Sequence, residues 1–143
     1  AHINDKAFYE VIEHTSVPVA MTHTAAFSLC HHWRCLTDDQ IKALAKIGGV
    51  VGIAFVPFFI HPENATIDRI ADHICYIADL VGIEHVAIGS DFDGMGSITP
   101  IVPDVSKLVY LTHRLLTRGL SKDDIQKVWG GNFLRLLEQT IDG

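Results

Sequence analysis

The chain has 143 residues, a hydrophobic content of 48% and a formal net charge of −6. With a mean hydropathy of +0.25 it is long and apolar enough for one domain with a real core, and it is not a disordered segment. Its basic residues are scattered, which speaks against nucleic acid or an anionic membrane surface as partner, and no apolar run approaches the length of a spanning helix. Three cysteines, Cys30, Cys35 and Cys75, are too few and too odd in number for a disulfide framework. A reducing compartment, and with it a cytoplasmic location, is the expectation that follows.

In chain order, Phe8, Val11 and Ile12 fall at helical spacing within Asp5 to His14. Val17 to Thr22 reads as a strand that runs into His23. Thr37-Asp38-Asp39-Gln40 is a capping-box pattern, opening a helix with Ile41, Leu44, Ala45 and Ile47 on its apolar face and Gly48-Gly49 as its stop. Val50 to Phe55 reads as a second strand, and Pro57 and Pro62 predict a loop after it. Ile67, Ile70, Ala71, Ile74, Ile77 and Ala78 give an amphipathic helix from about Thr66 to Leu80, ending at Gly82. Val86 to Ser90 is the third strand, followed by a Gly/Pro-rich loop from Gly94 to Pro103. Helical segments over Val105 to Arg118 and Lys122 to Thr140 close the chain, with Ser121 as a cap and Gly130-Gly131 as a break near Asn132.

Strands alternating with helices define an α/β fold with a parallel sheet. Three parallel strands cannot close a barrel and leave two raw edges. The chain is therefore either a small open sandwich or the C-terminal part of a larger (β/α) barrel. A beginning on Ala1-His2 that runs straight into a helix favours the second, with residues 1–143 as one partial domain whose N-terminal half lies elsewhere.

Chemistry is expected where the strands end. Asp91 and Asp93 follow Val86 to Ser90, and Asp91, nearer the barrel mouth, is the candidate proton acceptor beside a metal-bound water. Asp93, before Gly94, is equally well explained as a turn former. His23 suits a divalent metal such as zinc, and suits as well a hydrogen-bonded histidine that closes a strand. His2 by itself reads as a terminal surface residue. Arg34 could grip a carboxylate, though most loop arginines are simply solvated. Cys30-His31-His32-Trp33-Arg34-Cys35 lacks the second paired cluster of a structural zinc site and reads as coincidence. The remaining histidines, His31, His32, His61, His73, His85 and His113, are expected at the surface or within helices, and Phe55, Phe58 and Phe59 as packing residues or an apolar wall.

These residues in this order resemble the renal (membrane) dipeptidase family of zinc metallopeptidases, among the amidohydrolase-like (β/α)8 barrels. The match runs from Ala1-His2 through Thr22-His23-Thr24-Ala25-Ala26 and Arg34 to Gly89-Ser90-Asp91-Phe92-Asp93-Gly94. It continues into Asp104-Val105-Ser106-Lys107 and Gly131-Asn132-Phe133-Leu134-Arg135. The resemblance implies that His2 and His23 bind the second Zn2+ of a binuclear pair, that Arg34 holds the terminal carboxylate of a dipeptide, and that Asp91 handles the proton of the bridging water. It implies a dipeptide substrate, commonly with a D-residue on the C-terminal side. The family's His-x-Asp ligands, its bridging glutamate and a second substrate-binding histidine have no counterpart in this chain. Where many relatives carry a tyrosine, this chain reads Phe58-Phe59, which removes a hydroxyl contact.

The function expected is thus zinc-dependent dipeptide hydrolysis in the intact barrel, with the isolated chain inactive. Two rivals stay open. One is a non-catalytic fragment or binding module in which His23 and Asp91 merely satisfy strand ends. The other is a magnesium-dependent phosphotransfer enzyme using Asp91 and Asp93, for which no phosphate-cradling glycine loop is found. The sequence fixes no oligomeric state, and a homo-oligomer stays open.

Overall fold

The computed structural model describes residues 1–141. Its sheet has three parallel strands in the order β1-β2-β3: Ala20–Thr24, Val50–Ile53 and Val86–Ile88. Helix α1 (Asp5–His14) precedes β1, and α2 (Asp38–Lys46) links β1 to β2. The single turn α3 (Pro57–Ile60) and α4 (Ile67–Val81) link β2 to β3. Beyond β3 come α5 (Leu108–Thr117), α6 (Lys122–Gln126) and α7 (Asn132–Ile141), the last two joined by one π-type turn over Lys127–Gly131. All four residues of β2 are buried, as a parallel strand covered on both faces requires.

The helix starts obey local chemistry. Thr37 and Gln40 form the expected capping box, Ser121 forms a second one with Asp124, and Thr66 caps α4 by accepting from the Arg69 N–H. Gly82 ends α4 at φ +103°, a conformation that favours glycine. Apolar faces of α2 and α4 meet the sheet, and α5 packs on α4, in one core built on Ile41, Leu44, Phe55, Ile70, Ile74, Ile77, Leu111 and Leu115, each at most 1% exposed.

Several boundaries differ from the sequence expectation. β1 starts at Ala20 rather than Val17, because Pro18 has no N–H to enter a ladder; pairing begins with the Val50 N–H donating to Val19 O at 3.2 Å. The stretch expected as loop after β2 contains α3, with Pro57 at its first turn, where a missing N–H costs nothing. The segment from Val105 opens as a short 3-10 turn (Val105–Lys107) before α5.

His73 lies within a helix, as expected, and on the buried face of α4, 1% exposed. Its Nδ1 accepts the Ala26 N–H at 3.1 Å, so the ring proton sits on Nε2 and is donated to Ile60 O at 3.0 Å. One neutral imidazole thereby ties α4 to the loop after β1 and to α3. Burial lowers its pKa, which favours that neutral form. His85 is likewise engaged, its Nδ1 2.8 Å from Gly49 O.

The opposite end of the sheet is clamped by α7. Asn132 Nδ2 donates to Ile83 O and Val86 O at 2.7 and 2.8 Å. Arg135 donates from Nη1 to Gly48 O at 3.1 Å and from Nη2 to Glu84 O at 2.9 Å. The Gly131–Arg135 motif thus gathers the chain where it enters β2 and β3.

Candidate metal and substrate site

The candidate residues converge at the C-terminal ends of the strands. β1 carries two residues, Thr22 and His23, between its pairings Met21↔Val51 and Thr24↔Ile53 where β2 has only Gly52, so it bulges at Thr22–His23. The bulge seats the Thr22 carbonyl over Gly52 and Gly89, and a β-carbon at either glycine would collide with that oxygen. Two glycines, one on β2 and one just after β3, thus make room for the backbone that presents His23.

His23 Nε2 lies 2.9 Å from His2 Nε2, with the two rings 5.0 Å apart between centroids. That separation can be spanned by two metal–nitrogen bonds of about 2.0–2.1 Å to one ion. The other nitrogen of His23, Nδ1, is 2.9 Å from Thr22 Oγ1, a contact that fixes ring orientation. Burial lowers the pKa of His23; Asp91 nearby works against this, while His2, the N-terminus and Arg34 reinforce it. The net effect favours the neutral imidazole that a metal requires. The donor set therefore fits a divalent metal but does not complete its shell: among the described residues no group of three or more His, Cys, Asp or Glu is placed to hold an ion.

Arg34 stands beside this pair, its Nη2 3.4 Å from His2 Nε2. Its guanidinium is held over two rings, 5.5 Å from the Trp33 centroid and 5.3 Å from that of Phe59. Among the described residues it forms no ion pair, and its buried Nε has no hydrogen-bond partner. A partly desolvated cation without a counter-ion, flanked by aromatic faces, is built to receive an anion.

Asp91 follows β3 at φ +62°, a left-handed conformation that few non-glycine residues adopt and that recurs at functional sites. Its carboxylate lies over Gly94, where a β-carbon would strike Oδ1, and the Gly94 N–H donates to Asp91 O at 3.1 Å. Asp93 shares the left-handed geometry, at φ +63°, but lines a different cavity with Phe92, Met95 and Pro100. The two acids thus line adjacent cavities, which share Met95 and Ile98, rather than one.

His2, Arg34 and Asp91 line one cleft of about 370 Å³ with His32, Phe58 and Ile98 among its other walls. His32, expected at the surface, is half-buried among Trp33, Phe58 and Phe59 at centroid distances of 5.7, 5.3 and 4.9 Å. Its Nδ1 accepts the Arg34 N–H at 3.2 Å, shaping the turn that carries the arginine. His31 stacks on Phe27, His61 accepts two loop N–H groups, and His113 is exposed. In the Cys30–Cys35 segment both thiols donate to backbone carbonyls, Cys30 to Phe58 O at 3.3 Å and Cys35 to Phe59 O at 3.5 Å. Burial pushes the Cys35 thiol up to about 12, and all three cysteines are free.

A parallel α/β sheet with paired imidazoles, an unpaired arginine and an acid at its strand ends defines a metallohydrolase-type barrel segment. The sequence profile of membrane dipeptidases, peptidase family M19, matches residues 1–142, and the chain belongs to that family. It is 32% identical over 144 residues to the dipeptidase tcpJ of Claviceps purpurea, covering 99% of this chain and 34% of the relative. It is 41% identical over 126 residues to the dipeptidase aclJ of Aspergillus oryzae, covering 86% and 30%. A crystal structure of a Rhodobacter sphaeroides metallopeptidase liganded with a phosphinate mimic of the dipeptide L-Ala-D-Ala superposes with a TM-score of 0.88 at 29% identity, over 97% of this chain and 41% of that one. The probable dipeptidase PvdM of Pseudomonas aeruginosa gives 0.87 at 25% identity, over 95% and 48%. The chain thus spans about a third of these curated relatives and under half of these solved structures. No described helix is long and apolar enough to cross a membrane.

Proposed function

We propose that the protein carrying this chain hydrolyses dipeptides with a divalent metal, zinc being an ion that imidazole donors suit, and that this chain supplies half of the active site. The observation that carries the reading is the 2.9 Å pair His2 and His23 beside an arginine with no counter-ion. When bound, the metal would acidify a water and polarise the peptide carbonyl. His2 and His23 would hold one ion of a two-zinc centre, with ligands from the rest of the barrel completing the shell.

Asp91 would accept the proton of the attacking water and return it to the nitrogen of the leaving amine, a transfer between two positions a single pivoting carboxylate can reach. Its backbone geometry and the bare surface of Gly94 hold that carboxylate at the mouth of the cleft. Arg34 would bind the substrate's terminal carboxylate in a two-toothed contact, which fixes the scissile bond and leaves longer peptides badly placed.

The test is made on the whole protein. After chelation it should lose hydrolysis of dipeptides such as Ala-Ala and regain it on adding zinc, with tripeptides cleaved far more slowly. Undiminished activity in the chelated protein, with metal absent by elemental analysis, would refute the reading.

A further inference from the structure

Beyond the carboxylate anchor, the cleft has an apolar side built by Val56, Phe58, Phe59, Met95 and Ile98. Val56, Phe59 and Met95 are buried, while Phe58 is 40% and Ile98 37% exposed, so the outer two present their side chains to whatever enters. Phe58 and Phe59 meet edge to face at 88° with centroids 5.0 Å apart, and His32 packs against both. Burial and Arg34 lower the pKa of His32, which favours a neutral ring against the wall. The guanidinium of Arg34 lies 5.3 Å from the Phe59 centroid, so the anion site and the apolar wall are contiguous. Asp91 is the one acid lining this cleft among the described residues.

We propose that this wall selects dipeptides whose C-terminal residue carries a large apolar or aromatic side chain. The inference rests on the reading of Arg34 as the carboxylate anchor. A residue held there by its carboxylate has its α-carbon one bond away, and its side chain reaches the Phe58–Phe59 corner. An aromatic ring finds edge and face partners at that corner. A carboxylate side chain would be desolvated against apolar walls and would face Asp91, and glycine would leave the wall wet.

Calorimetry on the whole protein with N-acetylphenylalanine, N-acetylglycine and N-acetylaspartate, each as both enantiomers, reads the preference without catalysis. Phenylalanine should bind about 10- to 100-fold more tightly than glycine, the worth of burying such a side chain, with aspartate weakest. Ala-Phe, Ala-Gly and Ala-Asp should rank in the same order by kcat/KM. Ile98→Lys should lower the phenylalanine preference and raise binding of aspartate. Selective binding without hydrolysis would defeat the dipeptidase reading and leave the wall's selectivity standing. Hydrolysis without selectivity, equal binding of the three, or a preference unmoved in Ile98→Lys would overturn the inference.

Discussion

Gly94 shows how a residue without a side chain can govern the placing of one proposed to react. Its backbone lies directly against the Asp91 carboxylate, so even a methyl group must push that carboxylate away. Gly94→Ala is expected to lower kcat about 10- to 100-fold with little change in KM, the scale of a small misplacement of a reacting group. Combined with Asp91→Asn it should cost little more than Asp91→Asn alone, because the two act through one group; additive losses in steady-state kinetics would contradict this. Arg34→Ala should instead raise KM, since on the proposed reading the guanidinium would bind the carboxylate in ground and transition states alike. Asp91 and His23 were legible in the sequence because short apolar runs stop on them, and strand ends are where such folds place chemistry. Arg34 and His2 were not separable from solvated residues by spacing, and only the resemblance gave them roles. The duties of Gly94, Gly52 and Gly89 stay invisible at sequence level, because each depends on an atom brought near by the fold.

Among the elements, α4 carries the most testable electrostatic feature. Neutral His73 accepts from Ala26 and donates to Ile60, and protonating Nδ1 would break the first bond. Its folded pKa lies below the usual value near 6.5, so below that pH the unfolded chain takes up a proton that the folded one refuses. This contribution to stability is complete above about pH 6.5 and is lost as pH falls towards the folded value. Urea unfolding at pH 7.5 and 5.5 should show wild type losing more stability on acidification than His73→Gln. Equal losses would mean that the imidazole is not held neutral. Apolar spacing marked α4 and its Gly82 stop correctly, yet placed His73 in no particular environment. Periodicity reports which face of a helix is covered, whereas the partners of His73 lie 47 and 13 residues away along the chain. The same limit hid the bulge in β1, whose Thr22 carbonyl is accommodated by the glycines on β2 and after β3.

On the scale of the whole molecule, β1 and β3 are the outer strands of a three-stranded parallel sheet. Exposed apolar side chains at Leu134, Leu137 and Ile141 on α7 add an uncovered face among the described residues. That fits a chain spanning 41% of the Rhodobacter sphaeroides metallopeptidase it superposes on. Two imidazoles underligate a tetrahedral zinc, so the 143-residue chain alone should bind zinc weakly and hydrolyse no dipeptide at a useful rate. Calorimetric titration giving tight, stoichiometric zinc uptake by the pure chain would contradict this. The most direct test of the account is steady-state hydrolysis of a dipeptide by the whole protein bearing Asp91→Asn, with zinc measured in the same preparation. The substitution keeps the shape and removes the proposed proton acceptor, so zinc content should stay near wild type while kcat falls by roughly 100-fold or more. Near-wild-type turnover at full zinc occupancy would show that Asp91 does not carry the proton.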